Sequence, residues 1–184
     1  MAQPARPGVL LDRDGTIIVD HGYVGSIDRV ELIEGAPEAI RQFNLANLPV
    51  AVVTNQAGVA RGYYGIDDVE RVHAHLAETL ADHGAHIDLF LFCPYHPAGV
   101  VAGFARASDD RKPAPGMAKA AAQALDLDLT KSWVVGDRPE DMGLAEAIGA
   151  SAIWVGPGRY PDPGVQSYPS LAEAAYFILE RVAA

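Results

Sequence analysis

Asp12 and Asp14 close a short apolar run in the string Val-Leu-Leu-Asp-Arg-Asp-Gly-Thr at residues 9–16. Two carboxylates sharing one crevice repel each other unless a cation neutralises them or one stays protonated. A divalent metal, a nucleophile and an acid together would use that repulsion for phosphoryl chemistry. Val9 to Leu11 reads as a buried strand, so the carboxylates would emerge at its carboxyl edge, where open α/β sheets bind ligands. In extended chain, alternation puts Asp12 and Asp14 on one side and Arg13 on the other. The plainer reading is that strands end at the surface and acids often end them.

Further polar residues of the types phosphoryl transfer needs stand at later strand and loop ends. The second apolar run ends Val52-Val53-Thr54-Asn55-Gln56, where a hydroxyl and the following amides could hold phosphate oxygens; Thr and Asn are also ordinary turn residues. Arg111-Lys112-Pro113 precedes a helix in an otherwise acidic chain, and two adjacent cations can neutralise a transferring phosphoryl group. Alone, they would be a solvated pair. Trp133-Val134-Val135-Gly136-Asp137 runs from a buried strand straight into a helix, the place for a further oxygen ligand to a hard cation such as magnesium. Asp141 is one helical turn on and faces the same way; it suits capping the helix or holding Lys112 better than touching metal.

The elements that must position these residues alternate along the chain. Apolar runs expected as strands are Val9 to Asp12, Val50 to Thr54, Asp88 to Phe92, Ser132 to Gly136 and Ala152 to Val155. Helical periodicity falls at about Pro37 to Ala46, Ile66 to His83, Gly116 to Leu125, Pro139 to Ile148 and Leu171 to Val182. This alternation predicts a parallel sheet with crossover helices, an α/β three-layer Rossmann-like fold around a five-stranded, mainly parallel sheet. Pro157 to Pro169, rich in Pro and Gly, reads as a surface connector. The loop Cys93 to Pro115 is long enough to expect a functional role. Trp133 and Trp154 read as core, and His73, His75, His83 and His86 as ordinary surface histidines, since the spacing of His73 and His75 points them to different sides of a helix.

The chain has 184 residues, read as one domain over 1–184, with nearly half of them apolar. Its formal net charge of −10 argues against nucleic acid or an anionic membrane as partner, because both call for clustered positive charge. An anionic substrate would have to be met locally. The single cysteine, Cys93, excludes an internal disulfide and fits a reducing cytosol. Residues Met1 to Gly8 hold two prolines and no apolar core, so no signal peptide is expected, and no run approaches a membrane span. Cytoplasmic localisation is the expectation. The sequence does not demand a partner chain, which leaves a monomer as the simplest state.

Taken together, Asp12-Arg-Asp-Gly-Thr16, Thr54, Lys112 and Gly136-Asp137-x-x-x-Asp141 resemble the four ordered motifs of the haloacid dehalogenase superfamily of phosphatases. More narrowly, Asp20-His-Gly-Tyr-Val24, Val53-Thr-Asn-Gln-Ala-Gly-Val-Ala-Arg-Gly62 and Arg111-Lys-Pro-Ala-Pro-Gly-Met117 resemble the heptose 1,7-bisphosphate 7-phosphatase group, close to the histidinol-phosphate phosphatases. The resemblance implies Asp12 as nucleophile forming an aspartyl-phosphate, and Asp14 as the acid that protonates the leaving oxygen and then activates water. It implies Mg2+ held by Asp12, the backbone carbonyl of Asp14, and Asp137. Thr54 and Lys112 would bind the phosphoryl oxygens. Asp20, His21, Gly22, Tyr23, Asn55, Gln56, Arg111 and Arg138 would contact the rest of a small phosphorylated substrate. The family is minimally capped, and Gly15 to Arg29 would be a flap too short for a helical cap.

One departure matters. Members of this group commonly carry a structural zinc in the long loop, on a Cys-x-His pattern followed by Cys-x-Cys just before Arg-Lys-Pro. Here those places hold Cys93, Tyr95, Ser108 and Asp110. A structural zinc needs a closed set of four Cys or His ligands, so structural zinc is expected to be absent. A rearranged set of Cys93, His96, Asp109 and Asp110 would rest on carboxylates, which are unusual there. Hydrogen bonds from Tyr95, Ser108 or the aspartates would then replace the zinc. The expected function is magnesium-dependent hydrolysis of a sugar phosphomonoester, foremost a heptose 1,7-bisphosphate at its 7-phosphate. Histidinol phosphate or another small phosphomonoester is the alternative substrate, and a non-catalytic phospho-ligand-binding module the alternative of another class.

Overall fold

The computed structural model describes residues 5–183, so the part of the signal-peptide reading that concerns residues 1–4 lies outside the described residues. Its strands are β1 (Val9–Leu11), β2 (Val50–Asn55), β3 (Leu89–Cys93), β4 (Trp133–Gly136), β5 (Ser151–Val155) and β6 (Gln166–Tyr168). The helices are α1 (Ala36–Leu45), α2 (Ala57–Ala60), α3 (Ile66–Asp82), α4 (Gly116–Leu125), α5 (Pro139–Ile148) and α6 (Leu171–Val182). The strands form one sheet in the order β3-β2-β1-β4-β5-β6, with every pairing parallel.

Side-chain alternation splits the core into two layers. Val9, Leu11, Val50, Val52, Trp133, Val135, Ile153 and Val155 face α1, α3 and α6, packing on Ile40, Phe43, Leu76, Leu80 and Ile178. Leu10, Ala51, Val53 and Val134 face the other way, onto Met117, Ala118 and Ala121 of α4 and Leu144 and Ala145 of α5. A sheet covered on both faces needs apolar residues at successive positions rather than at alternate ones. That is why β1, β2 and β4 are continuous apolar runs. The alanines of α4 bring that helix close to the sheet, and Trp133 lies in the core as expected. Trp154 is half-buried and stacks on Tyr160 with ring centroids 5.2 Å apart.

Two expectations are corrected. The sheet has six strands, not five, because Gln166–Tyr168 pairs with β5 from within the Pro- and Gly-rich connector. Three polar or half-buried residues at a sheet edge leave no apolar run to read. His73 is buried, not a surface residue, with only 6% of its surface exposed. It stacks on Phe90, centroids 4.8 Å apart, and meets the edge of Phe92 at 5.7 Å. Its position on α3 places it against the face of β3 that carries both rings. His75 is half-buried, and His83 and His86 are exposed. The loop from Asn55 to Gly65 also contains one helical turn, α2.

The capping chemistry of α3 and α5 matches their sequences. Asp68 accepts a hydrogen bond from the Gly65 amide at 2.7 Å, and Asp141 from the Arg138 amide at 3.0 Å. Both place negative charge in a first helical turn, where the helix dipole favours it. Between Gly15 and Arg29 the chain makes no cap helix; one 3-10 turn, Ile27–Arg29, is its only helical piece. The segment is tied back by isolated bridges from Ile18 to Asp14 and to Leu32. Among the described residues, no helix is long and apolar enough to cross a membrane.

Burial, with a smaller contribution from Arg13, pushes His73 down to about 3, and its Nε2 is buried without a partner. Between that value and the ordinary 6.5, the unfolded chain binds a proton that the folded chain refuses. Stability from neutral His73 is therefore complete above pH 6.5 and is lost as pH falls towards 3. Between pH 7 and pH 5 the loss is about 2 kcal/mol. His73→Leu should make the fall in unfolding free energy over that interval shallower by about this amount, as measured by urea denaturation at each pH.

Candidate active site

The strand order reverses between β1 and β4, and the crevice outside their carboxyl ends is where this class of sheet binds ligands. Leu11 pairs with Val135, and the Asp12 amide donates to Val135 O at 2.9 Å. Asp12 therefore leaves β1 beside Gly136, and Asp137 follows directly from β4. Gly15 turns the chain away with φ +84°, and a side chain there would overlap the carboxylate of Asp137. Glycine supplies both the left-handed turn and the close approach.

Lys112 is the cation at the centre. Its Nζ donates to Asp12 Oδ1 at 2.8 Å and to Asp141 Oδ1 at 2.6 Å. All three residues are buried. Burial alone would push the lysine down, but Asp12 and Asp141 outweigh it and hold the ammonium above the usual lysine range. The backbone that carries it is clamped by Asn55, whose Nδ2 donates to Lys112 O at 3.1 Å while its Oδ1 accepts from Lys112 N at 3.0 Å. Both ends of one amide thus fix the loop before α4 to the end of β2.

Asp14 is held from two sides. Arg13 Nε and Nη2 donate to its two oxygens at 3.1 Å, and Gln56 Nε2 donates to Oδ2 at 2.9 Å. Burial pushes Asp14 up, while the Arg13 charge and hydrogen bonds pull against it. Arg13 does not line the cavity, but it is not held on the opposite side from Asp14 as alternation predicts: its guanidinium curls back onto Asp14 and donates to Val24 O at 2.8 Å. The strand ends at Leu11, so extended geometry does not govern residues 13 and 14. Gln56 Nε2 also donates to Thr54 Oγ1 at 2.9 Å.

Asp12, Asp137 and Asp141 form the one group of three His, Cys, Asp or Glu residues among the described residues whose oxygens lie within 4.8 Å of one another. Burial and then Asp12 push Asp137 up to about 6, with Arg138 opposing. Its Oδ1 is a buried acceptor without a partner. Asp141 already serves Lys112 and the Arg138 amide, so the unfilled acceptor capacity lies on Asp137. An orphaned carboxylate oxygen beside a second carboxylate is the donor set a hard cation takes.

The cavity over these groups measures about 540 Å³ and is lined by Asp12, Asp14, Thr54, Lys112 and Asp141 at its base. Asp20, Gly22, Tyr23, Asn55, Gln56, Arg111 and Arg138 line it as well. Asp20 accepts from Arg138 Nη2 at 2.6 Å, which joins the segment after β1 to the start of α5 across the mouth. His21 is the expected contact that the fold does not bring in: it is exposed and pairs with Glu31 at 2.8 Å. The sequence reading missed Tyr64 and Glu140, which also line the cavity. Glu140 stands beside Arg138 and Asp141 in the motif and could have been found by its place in the first turn of α5. Tyr64 has no such signal.

The chain is similar to known phosphatases. The HAD-hydrolase-like family model matches residues 110–184. The D-glycero-beta-D-manno-heptose-1,7-bisphosphate 7-phosphatase of Rhodopseudomonas palustris is 42% identical over 79% of this chain and 81% of its own length. The Escherichia coli protein of the same name is 43% identical over 77% of this chain and 74% of its own. The crystal structure of D,D-heptose 1,7-bisphosphate phosphatase from B. bronchiseptica, complexed with magnesium and phosphate, superposes with a TM-score of 0.83 at 29% identity, covering 95% of this chain and 99% of that one.

Removing one member of a buried, hydrogen-bonded charge group leaves the others uncompensated, at a cost of about 3–5 kcal/mol. Lys112→Met leaves Asp12 and Asp141 facing each other. Its unfolding free energy, measured by urea titration, is expected to fall by roughly that amount, whereas a change below 1 kcal/mol would contradict the central place given to this cation.

Proposed function

Because the chain belongs to the haloacid dehalogenase-like phosphatases, in the heptose-1,7-bisphosphate 7-phosphatase family, we propose that it removes the 7-phosphate from D-glycero-D-manno-heptose 1,7-bisphosphate with the help of magnesium. The observation that carries this reading is the convergence of Asp12, Asp14, Thr54 and Lys112 at the base of one cavity, with the unpartnered Asp137 oxygen beside them. We assign residues 1–184 to a single hydrolase domain.

Magnesium would be held by Asp12 and Asp137, with the Asp14 carbonyl assigned by family resemblance. Bound there, it would offset the charges of Asp12 and the phosphoryl group so that two anions can meet. The protein's own groups do the rest. Asp12 Oδ attacks phosphorus as the leaving oxygen departs, and the aspartyl-phosphate that forms splits one hard displacement into two easier ones. Asp14 gives its proton to the leaving oxygen; as a carboxylate it then takes a proton from the water that hydrolyses the acyl phosphate. Its position supports both duties, because Arg13 and Gln56 anchor it one residue from the nucleophile's neighbour. Thr54 and Lys112 hold phosphoryl oxygens. Arg111 and Arg138 face the same cavity and supply positive charge for the remainder of an anionic substrate, with Asp20, Gly22, Tyr23 and Gln56 shaping the wall. Asn55 acts by holding Lys112 in place.

The long loop reads as metal-free. Cys93 is the one thiol; it is buried, and its Sγ faces Tyr95 O at 3.8 Å. Arg111 Nη1 donates to the same carbonyl at 3.4 Å, and the Arg106 guanidinium lies 3.9 Å from the centre of the Tyr95 ring. Ser108 Oγ accepts from the Asp110 amide at 3.1 Å. One soft ligand among carbonyls, a hydroxyl and a cation does not fit a closed zinc site. These contacts support Arg111 without it.

Three measurements test these readings. Asp12→Asn, which keeps a side-chain oxygen towards Lys112 while Asp141 still pairs with it, should remove phosphate release from a chain that remains folded by circular dichroism, and the wild-type protein with magnesium should prefer heptose 1,7-bisphosphate to histidinol phosphate in kcat/KM by more than tenfold; the reverse preference would replace the substrate. Elemental analysis of the purified protein should find far less than one zinc per chain, and stoichiometric zinc would overturn the metal-free loop.

A further inference from the structure

Tyr64 stands outside the motifs, yet its hydroxyl donates to Gln56 Oε1 at 2.8 Å. Gln56 is buried, and the other end of its carboxamide donates to Asp14 Oδ2 and to Thr54 Oγ1, each at 2.9 Å. A primary amide has two N–H donors and one oxygen, and here both donors and the oxygen are engaged. The ring that delivers the hydroxyl has little freedom. A Cβ on Gly25 would overlap the ring at Cγ, Cδ1 and Cε1, and a Cβ on Gly58 would overlap it at Cε1, Cζ and the hydroxyl. Gly25 belongs to the segment after β1, and Gly58 lies in α2. The ring therefore fills a slot that exists because both neighbours lack side chains.

We propose that Tyr64 is a positioning residue: through Gln56 it keeps Asp14 aimed at the leaving oxygen rather than at the protein. The inference rests on the phosphatase reading, in which Asp14 must carry a proton when the leaving group departs. Gln56 reaches Asp14 with one N–H group and Thr54 with the other, and a carboxamide held only from that side could swing away from both. The Tyr64 hydroxyl, on a ring fixed in its slot, ties the opposite end at Oε1 and so fixes the side chain that orients Asp14. Burial pushes the Tyr64 phenol up to about 12, so it remains a donor throughout the neutral range.

The test separates proton delivery from packing. Tyr64→Phe keeps the ring in its slot and removes only the hydroxyl. Its kcat/KM for an alkyl phosphomonoester, whose leaving oxygen needs a proton, should fall roughly tenfold. With p-nitrophenyl phosphate, whose leaving group departs as a stable anion, the change should stay within about twofold. In a Gln56→Met background the Tyr64→Phe change should have no further effect, because neighbours acting through one contact do not add. Equal losses on both substrates, no loss on either, or a full loss retained in the Gln56→Met background would each overturn the proposal. A wild-type protein that releases phosphate from neither substrate would instead remove the phosphatase reading and the proposal with it; failure of the relay alone leaves wild-type turnover intact.

Discussion

The ammonium of Lys112, buried between Asp12 and Asp141, is the constraint around which the rest of the site is arranged. Charges taken out of water are tolerated when paired with good geometry and further hydrogen bonds. Each partner here comes from a different part of the chain: the end of β1, the loop before α4, and the first turn of α5. Asn55 holds the lysine backbone from the end of β2, and the Arg138 amide holds the second oxygen of Asp141. A shift in any of these elements would leave a buried charge uncompensated. The electrostatics thus enforce the same geometry that the chemistry uses.

The balance of charge around that centre is deliberately incomplete. Three carboxylates gather within 4.8 Å and one lysine serves two of them, so Asp137 retains an oxygen without a partner. In the proposed function a metal ion would complement that oxygen on one side, and Arg111 together with Arg138, which is already paired with Asp20, would meet an anionic substrate on the other. An acidic protein can in this way draw an anion to one place while its overall field repels anions elsewhere. The Asp20–Arg138 pair crosses the cavity mouth, and because Arg138 is more than half exposed, with 57% of its side chain in solvent, an arriving anion meets it at the rim.

The sequence was most legible where burial on both faces wrote continuous apolar runs, as in β1, β2 and β4, and where motif residues sit directly after them. Asp12, Thr54 and Asp137 are of this kind. It was least legible where tertiary contact overrides a local pattern. β6 is three polar or half-buried residues that become a strand only because β5 offers an edge. His73 looks like any helical histidine until Phe90 and Phe92 arrive from β3. His21 lies within a motif segment but turns outward to Glu31. Tyr64 is the clearest case: what places it is the absence of two side chains, at Gly25 and Gly58, and an absence far along the chain leaves no periodicity to read.

The pairing of β1 with β4 also bears on how the molecule comes into being. Gly8 and Ser132, joined by a hydrogen bond at the foot of these strands, are 124 residues apart. During synthesis β1 emerges early and can pair with β2, but its other edge has no partner until about three-quarters of the sequence has been made. Contacts of such long separation form late and slow folding, because the intervening chain must be ordered first. For that interval the nascent protein exposes an apolar central strand, followed by two acidic residues. Those charges, which the proposed function uses for catalysis, also interrupt the run that would otherwise invite association with neighbouring chains.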